Sequence, residues 1–247
     1  LNGLVYQERA YRSFAAAPRG RVAFEARIGT SDLYIRADRD LSREALTVLR
    51  TVRGHIEDHV AARPAFATAL EPLEAPAGVP AVVAAMYAAG RRAGVGPLAA
   101  VAGAVAGQVG RALRRWTREV LVENGGDVYA DVAEESVIGL FAGPSPLSGR
   151  VGLRLAPEDT PVGICTSSGT VGPSLSFGRA DAATVVARDP ALADAVATAL
   201  GNRIRSSADL EPAVSWAMAV PGVLGAVAIL GDRLAAMGAV ELVPLAS

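Results

Sequence analysis

Asp194 and Thr198 stand four residues apart, so on a helix both project from one face, with Asn202 one turn further on. Asp189-Pro190 starts that helix, Asp as the cap and Pro at the first helical position, and Gly201-Asn202 ends it. Carboxylate, hydroxyl and carbonyl oxygens at this spacing suit a hard cation such as Mg²⁺, which takes oxygen ligands and keeps waters for substrate phosphates. A solvated polar stripe has the same spacing, and two oxygen side chains alone do not make a metal site.

Two loops offer complementary chemistry. Thr166-Ser167-Ser168-Gly169-Thr170-Val171-Gly172 follows an apolar strand and sets four hydroxyls among small residues, a composition that presents N–H and O–H donors to phosphate oxygens. It is not a Walker loop, and a plain turn is the other reading. Glu123-Asn124-Gly125-Gly126-Asp127 lies between two short strands, where Gly125 and Gly126 let the backbone approach a ligand or enter a tight turn, with Asp127 following. Asp181, just before a strand, is either a ligand-facing carboxylate or the cap of its own turn. His55 and His59 are four apart but Glu57 and Asp58 do not make an HExxH pattern, so exposed helix polarity is expected. Cys165 reads as a small buried hydrophobe rather than a nucleophile.

These residues need elements to position them. Val22–Ile28 and Leu33–Ala37 alternate as a hairpin around Gly29-Thr30, and Leu46, Leu49, Val52, Ile56 and Val60 recur at helical spacing from Ser42 to about Ala62. Pro72, Pro76 and Pro80 mark a loop before helices over Ala81–Arg92 and after Pro97. Short strands follow at 120–122, 128–130, 137–141, 151–155 and 162–165, then a strand at 183–187, the Pro190 helix, a helix over 207–220 and a closing hairpin of 226–230 with 233–242. Runs of strands around runs of helices, without steady βαβ alternation, predict an α+β fold with antiparallel sheets.

The 247 residues are 51% hydrophobic and 20% charged, which specifies a folded chain, expected as a single domain or two intimately packed halves. A net charge of -1 with dispersed arginines excludes a nucleic-acid footprint, and the chain contains no lysine, so neither a lysine Schiff base nor a phosphate-loop lysine is available. The uncharged run from Ala93 to Gly110 is too weakly hydrophobic for lipid and reads as a buried helix of small residues, so no membrane partner is expected. A lone cysteine and no signal pattern lead to an expected cytoplasmic location.

Taken in order, the segments 101–110, 120–127, Thr166-Ser167-Ser168-Gly169 and 193–200 resemble ApbE-like proteins. The phrases Gly94-Val95-Gly96-Pro97-Leu98-Ala99-Ala100-Val101-Ala102-Gly103 and Ser167-Ser168-Gly169-Thr170-Val171-Gly172 are similar to a shorter branch of that superfamily whose members carry no assigned reaction. The resemblance implies antiparallel β-sheets flanked by helices, and an activity that splits FAD and transfers FMN to a protein threonine with Mg²⁺. It implies metal ligation by Asp194 and Thr198 and places the Gly125-Gly126 turn beside the ligand. Two departures stand out. Val105-Ala106-Gly107-Gln108 occupies the place of the transferases' Gly-Ile-Ala-Lys-Gly pattern, and Pro173-Ser174-Leu175-Ser176 with Asp181 occupies that of their His-Ile-Asp-Pro motif. Two functions are therefore carried forward. One is a Mg²⁺-dependent enzyme acting on a flavin-like or other phosphorylated small molecule, by FMN transfer or FAD hydrolysis, with a protein as a further substrate. The other is a ligand-binding or scaffold protein that keeps the fold. In either, Asp194 and Thr198 are expected to converge with the Thr166–Gly172 loop.

Overall fold

Alternation within the strands sets the layers. In the computed structural model, which describes residues 20–169 and 178–245, eight strands form one antiparallel sheet. They are β1 (Val22–Ile28), β2 (Ser31–Ala37), β3 (Val120–Asn124), β4 (Asp127–Asp131), β7 (Val162–Ser167), β8 (Ala182–Ala187), β9 (Val223–Leu230) and β10 (Arg233–Gly238), side by side in that order. A second sheet has the order β11-β6-β5, from Glu241–Pro244, Val151–Leu155 and Ser136–Gly139.

Leu33, Ile35, Val122, Tyr129, Cys165 and Val185 point from the large sheet into the helical layer. Leu121, Val128, Ala130, Ile164 and Val186 point the other way, against Leu153 and Leu155 of the small sheet. Central strands covered on both faces must be apolar at every position, and all six residues of β8 are buried.

The helical layer comprises α1 (Ser42–Ala62), the short α2 (Ala65–Thr68), α3 (Ala81–Ala93), α4 (Val101–Leu113), α5 (Pro190–Asn202) and α6 (Leu210–Met218). α4 is entered through a 3₁₀ turn over Pro97–Ala100, so the run of small residues after Pro97 is two elements rather than one. α5 packs against α3, α4, β7 and β8, which is why it is apolar nearly all round. Its cap is as the sequence predicts: the Asp189 carboxylate accepts the Ala191 N–H at 3.1 Å. Among the described residues no single helix is long and apolar enough to cross a membrane.

Two expectations are corrected. The closing hairpin does not run to Leu242: β10 ends at Gly238, whose φ of +84° turns the chain, and Glu241–Pro244 leaves to pair with β6 in the other sheet. The apolar run from Leu234 to Val240 continues through Gly238, so a strand reading carries past the bend. His59 is not exposed polarity either. It is buried, 2.9 Å from the Tyr87 hydroxyl and edge-on to Phe66, and burial lowers its pKa; His55 is exposed as expected.

Candidate functional site

Glycines let α5 sit deep. A Cβ on Gly103 of α4 would overlap the Pro190 carbonyl oxygen and lie 2.8 Å from Asp194 Cβ, one on Gly107 would lie 2.9 Å from Pro190 Cγ, and one on Gly163 of β7 would overlap Pro190 Cα. With hydrogen alone at these three places, the first turns of α5 close onto α4 and β7. That approach brings the Asp194 carboxylate to the start of α4, where Oδ2 accepts the Gly103 N–H at 2.9 Å and the carboxylate also accepts the Ala102 N–H. Asn124, at the end of β3, donates from Nδ2 to the Ala102 carbonyl at 3.2 Å and ties the same helix start to the sheet.

Asp127 arrives from the sheet. Asn124 and Asp127 pair across a two-residue turn in which Gly125 and Gly126 have φ of +70° and +99°, the left-handed values that a tight antiparallel hairpin takes from glycine. The Glu123 carboxylate accepts the Gly126 N–H at 2.9 Å and fastens the turn. Asp127 faces Cys165 across the β4–β7 register, and its carboxylate accepts from the Cys165 thiol and the Thr166 N–H. Cys165 Sγ is also 3.4 Å from the Pro190 carbonyl oxygen, so the fully buried thiol sits where β4, β7 and α5 meet, as the reading of a buried small hydrophobe requires.

The electrostatics of the two carboxylates are linked. Burial pushes the Asp194 carboxyl up to about 7, with the N–H donors of Gly103 and Ala102 holding it down. Burial and then the neighbouring Asp194 charge push Asp127 well above the usual carboxylate range, against the Cys165 and Thr166 hydrogen bonds. Two acids buried side by side disfavour the doubly ionised state unless a positive charge joins them.

Thr198 is half-buried one turn beyond Asp194. The hydroxyl loop does reach α5: Ser167 Oγ lies 3.8 Å from where a Gly201 Cβ would be, and a Cβ on Gly178, at the far side of the loop, would overlap the Gly201 carbonyl oxygen. The Gly169 N–H donates to the Ala180 carbonyl at 2.9 Å, closing the loop's neck. Thr166 Oγ1 is 2.9 Å from Thr184 Oγ1, Ser168 is half-buried and Gly169 exposed, while Thr170 lies outside the described residues. Asp181 stands apart: its carboxylate accepts the Gly231 N–H at 2.7 Å and caps the distant β9–β10 turn rather than its own, a long-range role that neither sequence reading contains.

Asp127, Asp194 and the Thr166 N–H thus lie together near the start of α5, Ser167 and Gly178 at the two sides of the loop touch its last turn at Gly201, and Gly125-Gly126 shapes the turn that delivers Asp127. Gly103, Ala102 and Asn124 complete the arrangement, and sequence reasoning assigns them no role of their own; the Gly103/Gly107 spacing within a small-residue helix is the signal that points to them. Among the described residues no cluster of three or more His, Cys, Asp or Glu could hold a metal. Asp127, Asp194 and Thr198 carry oxygens of the type Mg²⁺ takes when it is held by one or two carboxylates and keeps water and substrate oxygens for the rest of its shell.

A family model described as AbpE bacteria matches residues 14–235. The chain belongs to this ApbE-like family. Within it, the UPF0280 protein of Methanocella arvoryzae is 47% identical over 203 residues, covering 82% of each chain, and that of Methanosphaerula palustris is 42% identical over 204 residues, covering 81% of this chain and 82% of the relative. The ApbE fold is also that of the flavinyl transferase ApbE of Pseudomonas stutzeri in its apo form, at a TM-score of 0.57 and 14% identity over 88% of this chain and 94% of that one. A variant of the flavin transferase ApbE of Vibrio cholerae gives a TM-score of 0.57 and 12% identity over 88% and 97%.

The ApbE hairpin turn carries a prediction. Gly126 has room for a side chain, its Cβ position lying 3.6 Å from the Thr166 carbonyl oxygen, but not the φ for one. Gly126→Val is expected to lower stability by about 1–3 kcal/mol through backbone strain, with ligand affinity falling only as Asp127 is displaced. Thermal unfolding alongside ligand titration checks it; lost affinity at an unchanged melting temperature would instead assign Gly126 to ligand contact.

Proposed function

We propose that the chain is a Mg²⁺-dependent enzyme acting on a flavin nucleotide or a similar phosphorylated small molecule, by FMN transfer or FAD hydrolysis. The observation that carries this reading is the burial of Asp127 and Asp194 where β4, α4 and α5 meet, Asp194 on the Gly103 N–H at 2.9 Å and Asp127 across from Cys165, two carboxylates that repel each other when both are ionised and that a cation would reconcile. The transferases of the same fold, from Pseudomonas stutzeri and Vibrio cholerae, supply the substrate class.

Asp194 and Thr198 would hold Mg²⁺, with Asp127 beside them. Bound there, the ion supplies charge neutralisation for a phosphoryl-type displacement. The chain does the rest. N–H donors at the start of α4 orient Asp194, Cys165 and Thr166 orient Asp127, and the hydroxyl loop offers donors to phosphate oxygens. A protein threonine or water is the acceptor, and the cytoplasm the proposed location.

Equilibrium binding of FAD and FMN, with and without MgCl₂, tests the reading. Affinity is expected to rise at least about tenfold with Mg²⁺, and Asp194→Ala to abolish that rise, a difference of about 1.4 kcal/mol or more. No binding of either flavin under any condition would overturn it. The lysine-free sequence favours a second reading, a binding or scaffold protein that keeps the fold. Mg²⁺-dependent turnover of FAD that disappears in Asp194→Ala would exclude that.

A further inference from the structure

Backbone bonding alternates along β10, the last strand of the large sheet, and two observations fix its phase. The Ile229 carbonyl turns to the β8 side and accepts the Asp181 N–H at 2.9 Å, so Leu234, opposite Ile229 in the β9–β10 register, bonds nothing on β9. Further along the same register the Ala239 N–H donates to the Leu224 carbonyl at 2.8 Å. The odd-numbered residues of β10 therefore bond β9. The N–H and C=O groups of Leu234 and Ala236, with the Gly238 N–H, point off the end of the sheet, and among the described residues no hydrogen bond reaches them. The other strand edges among the described residues are guarded. β1 carries Glu25 and Arg27, β11 carries Glu241 and Pro244, and β5 has only four residues. β10 has a single charge, Arg233 at its start, no proline and no register shift against β9. Ala236, Gly238 and Ala239 are exposed, and so is Met237, to 40%.

We infer that this edge pairs with the same edge of a second copy of the chain, antiparallel about a two-fold axis at Ala236. In that register Ala236 exchanges N–H···O=C bonds with Ala236 of the second copy, and each Gly238 N–H donates to the Leu234 carbonyl across the axis. The two-fold supplies a matching edge because the unpaired groups fall at alternate residues on either side of Ala236. Side chains agree with it. Met237 lies across from Ala235, large against small, and Arg233 lies across from Ala239, which keeps the two arginines at opposite ends of the contact. No like charges meet at the centre, so nothing repels a second copy there. The large sheet then runs on through both copies.

Sedimentation velocity of the whole chain across a wide concentration range tests the inference. The wild type is expected to pass from monomer to dimer as concentration rises. Ala236→Lys and Ala236→Glu each change an exposed side chain on a residue whose backbone makes no bond to β9, so both are expected to fold. Alone, each sets like charges opposite one another at the axis and is expected to dimerise several-fold more weakly than an equimolar mixture of the two, in which the charges are opposite. A wild type that stays monomeric at every concentration, or variants that dimerise alone as readily as when mixed, overturns the inference. Should either variant not fold, amide hydrogen exchange of the wild type decides. Protection of Leu234 and Ala236 that grows with protein concentration supports the pairing, and unprotected exchange at every concentration rejects it.

Discussion

Gly103→Ala is expected to remove cation-dependent ligand binding altogether and to lower stability by about 1–3 kcal/mol, the range for overpacking a tight contact. The added methyl would overlap the Pro190 carbonyl oxygen and stand 2.8 Å from Asp194 Cβ. The first obstacle is backbone at the start of a helix held on several sides, so it cannot swing away as a side-chain tip could. α5 must lift from α4, and Asp194 then loses the Gly103 N–H it accepts at 2.9 Å. Gly54→Ala in α1 is the control: a Cβ there meets nothing within 4 Å, and replacing glycine inside a helix should be neutral or stabilising by up to about 1 kcal/mol. If Gly103→Ala melts and binds Mg²⁺ and flavin like the wild type, then the α4–α5 contact is not what places Asp194.

Asp194→Asn is expected to make the protein more stable above neutral pH. The folded-state pKa of about 7 lies above the ordinary carboxylate value, so the folded protein holds this proton more tightly than the unfolded chain does. The associated stability is present in full at pH below about 4, falls as pH rises, and is gone once pH passes about 7. A tenfold difference in proton affinity between the folded and unfolded states is worth about 1.4 kcal/mol, so the wild type gives up on the order of 2–4 kcal/mol across that window, and the variant, with no proton to lose there, does not. Removing the charge also relieves Asp127, whose own pKa it raises. Asn keeps a carbonyl oxygen for the Gly103 N–H, so the packing survives. At pH 8 the variant should therefore melt several degrees higher, while added Mg²⁺ should raise the melting temperature of the wild type and not of the variant. A variant that melts lower than the wild type at pH 8 would show that the carboxylate pair stores no such strain.

Local pattern determined much of this protein. The α1 periodicity, the Gly29-Thr30 hairpin, the Asp189-Pro190 helix start and the two-glycine turn before Asp127 are all set by neighbours a few residues away, and the structure contains each of them. The four-residue spacing of Asp194 and Thr198 was equally legible, because helical geometry follows from sequence order. The pairing of Asp194 with Asp127 was not. It depends on an α5 approach permitted by glycines at 103, 107 and 163, on two other elements, and no local period encodes contact between them. The fate of Asp181 was undecidable for the same reason: a carboxylate before a strand serves a ligand or a turn equally well until the Gly231 N–H is seen at 2.7 Å. His59 changed from surface polarity to buried partner of Tyr87 because α3 covers that side of α1, and Glu241–Pro244 changed sheets because β6 offered an open edge. In each instance sequence order specified the residue's chemistry, and long-range packing decided whether that chemistry faces solvent, a structural partner or the site, since burial and proximity, not residue type, set the charge state and the available hydrogen bonds.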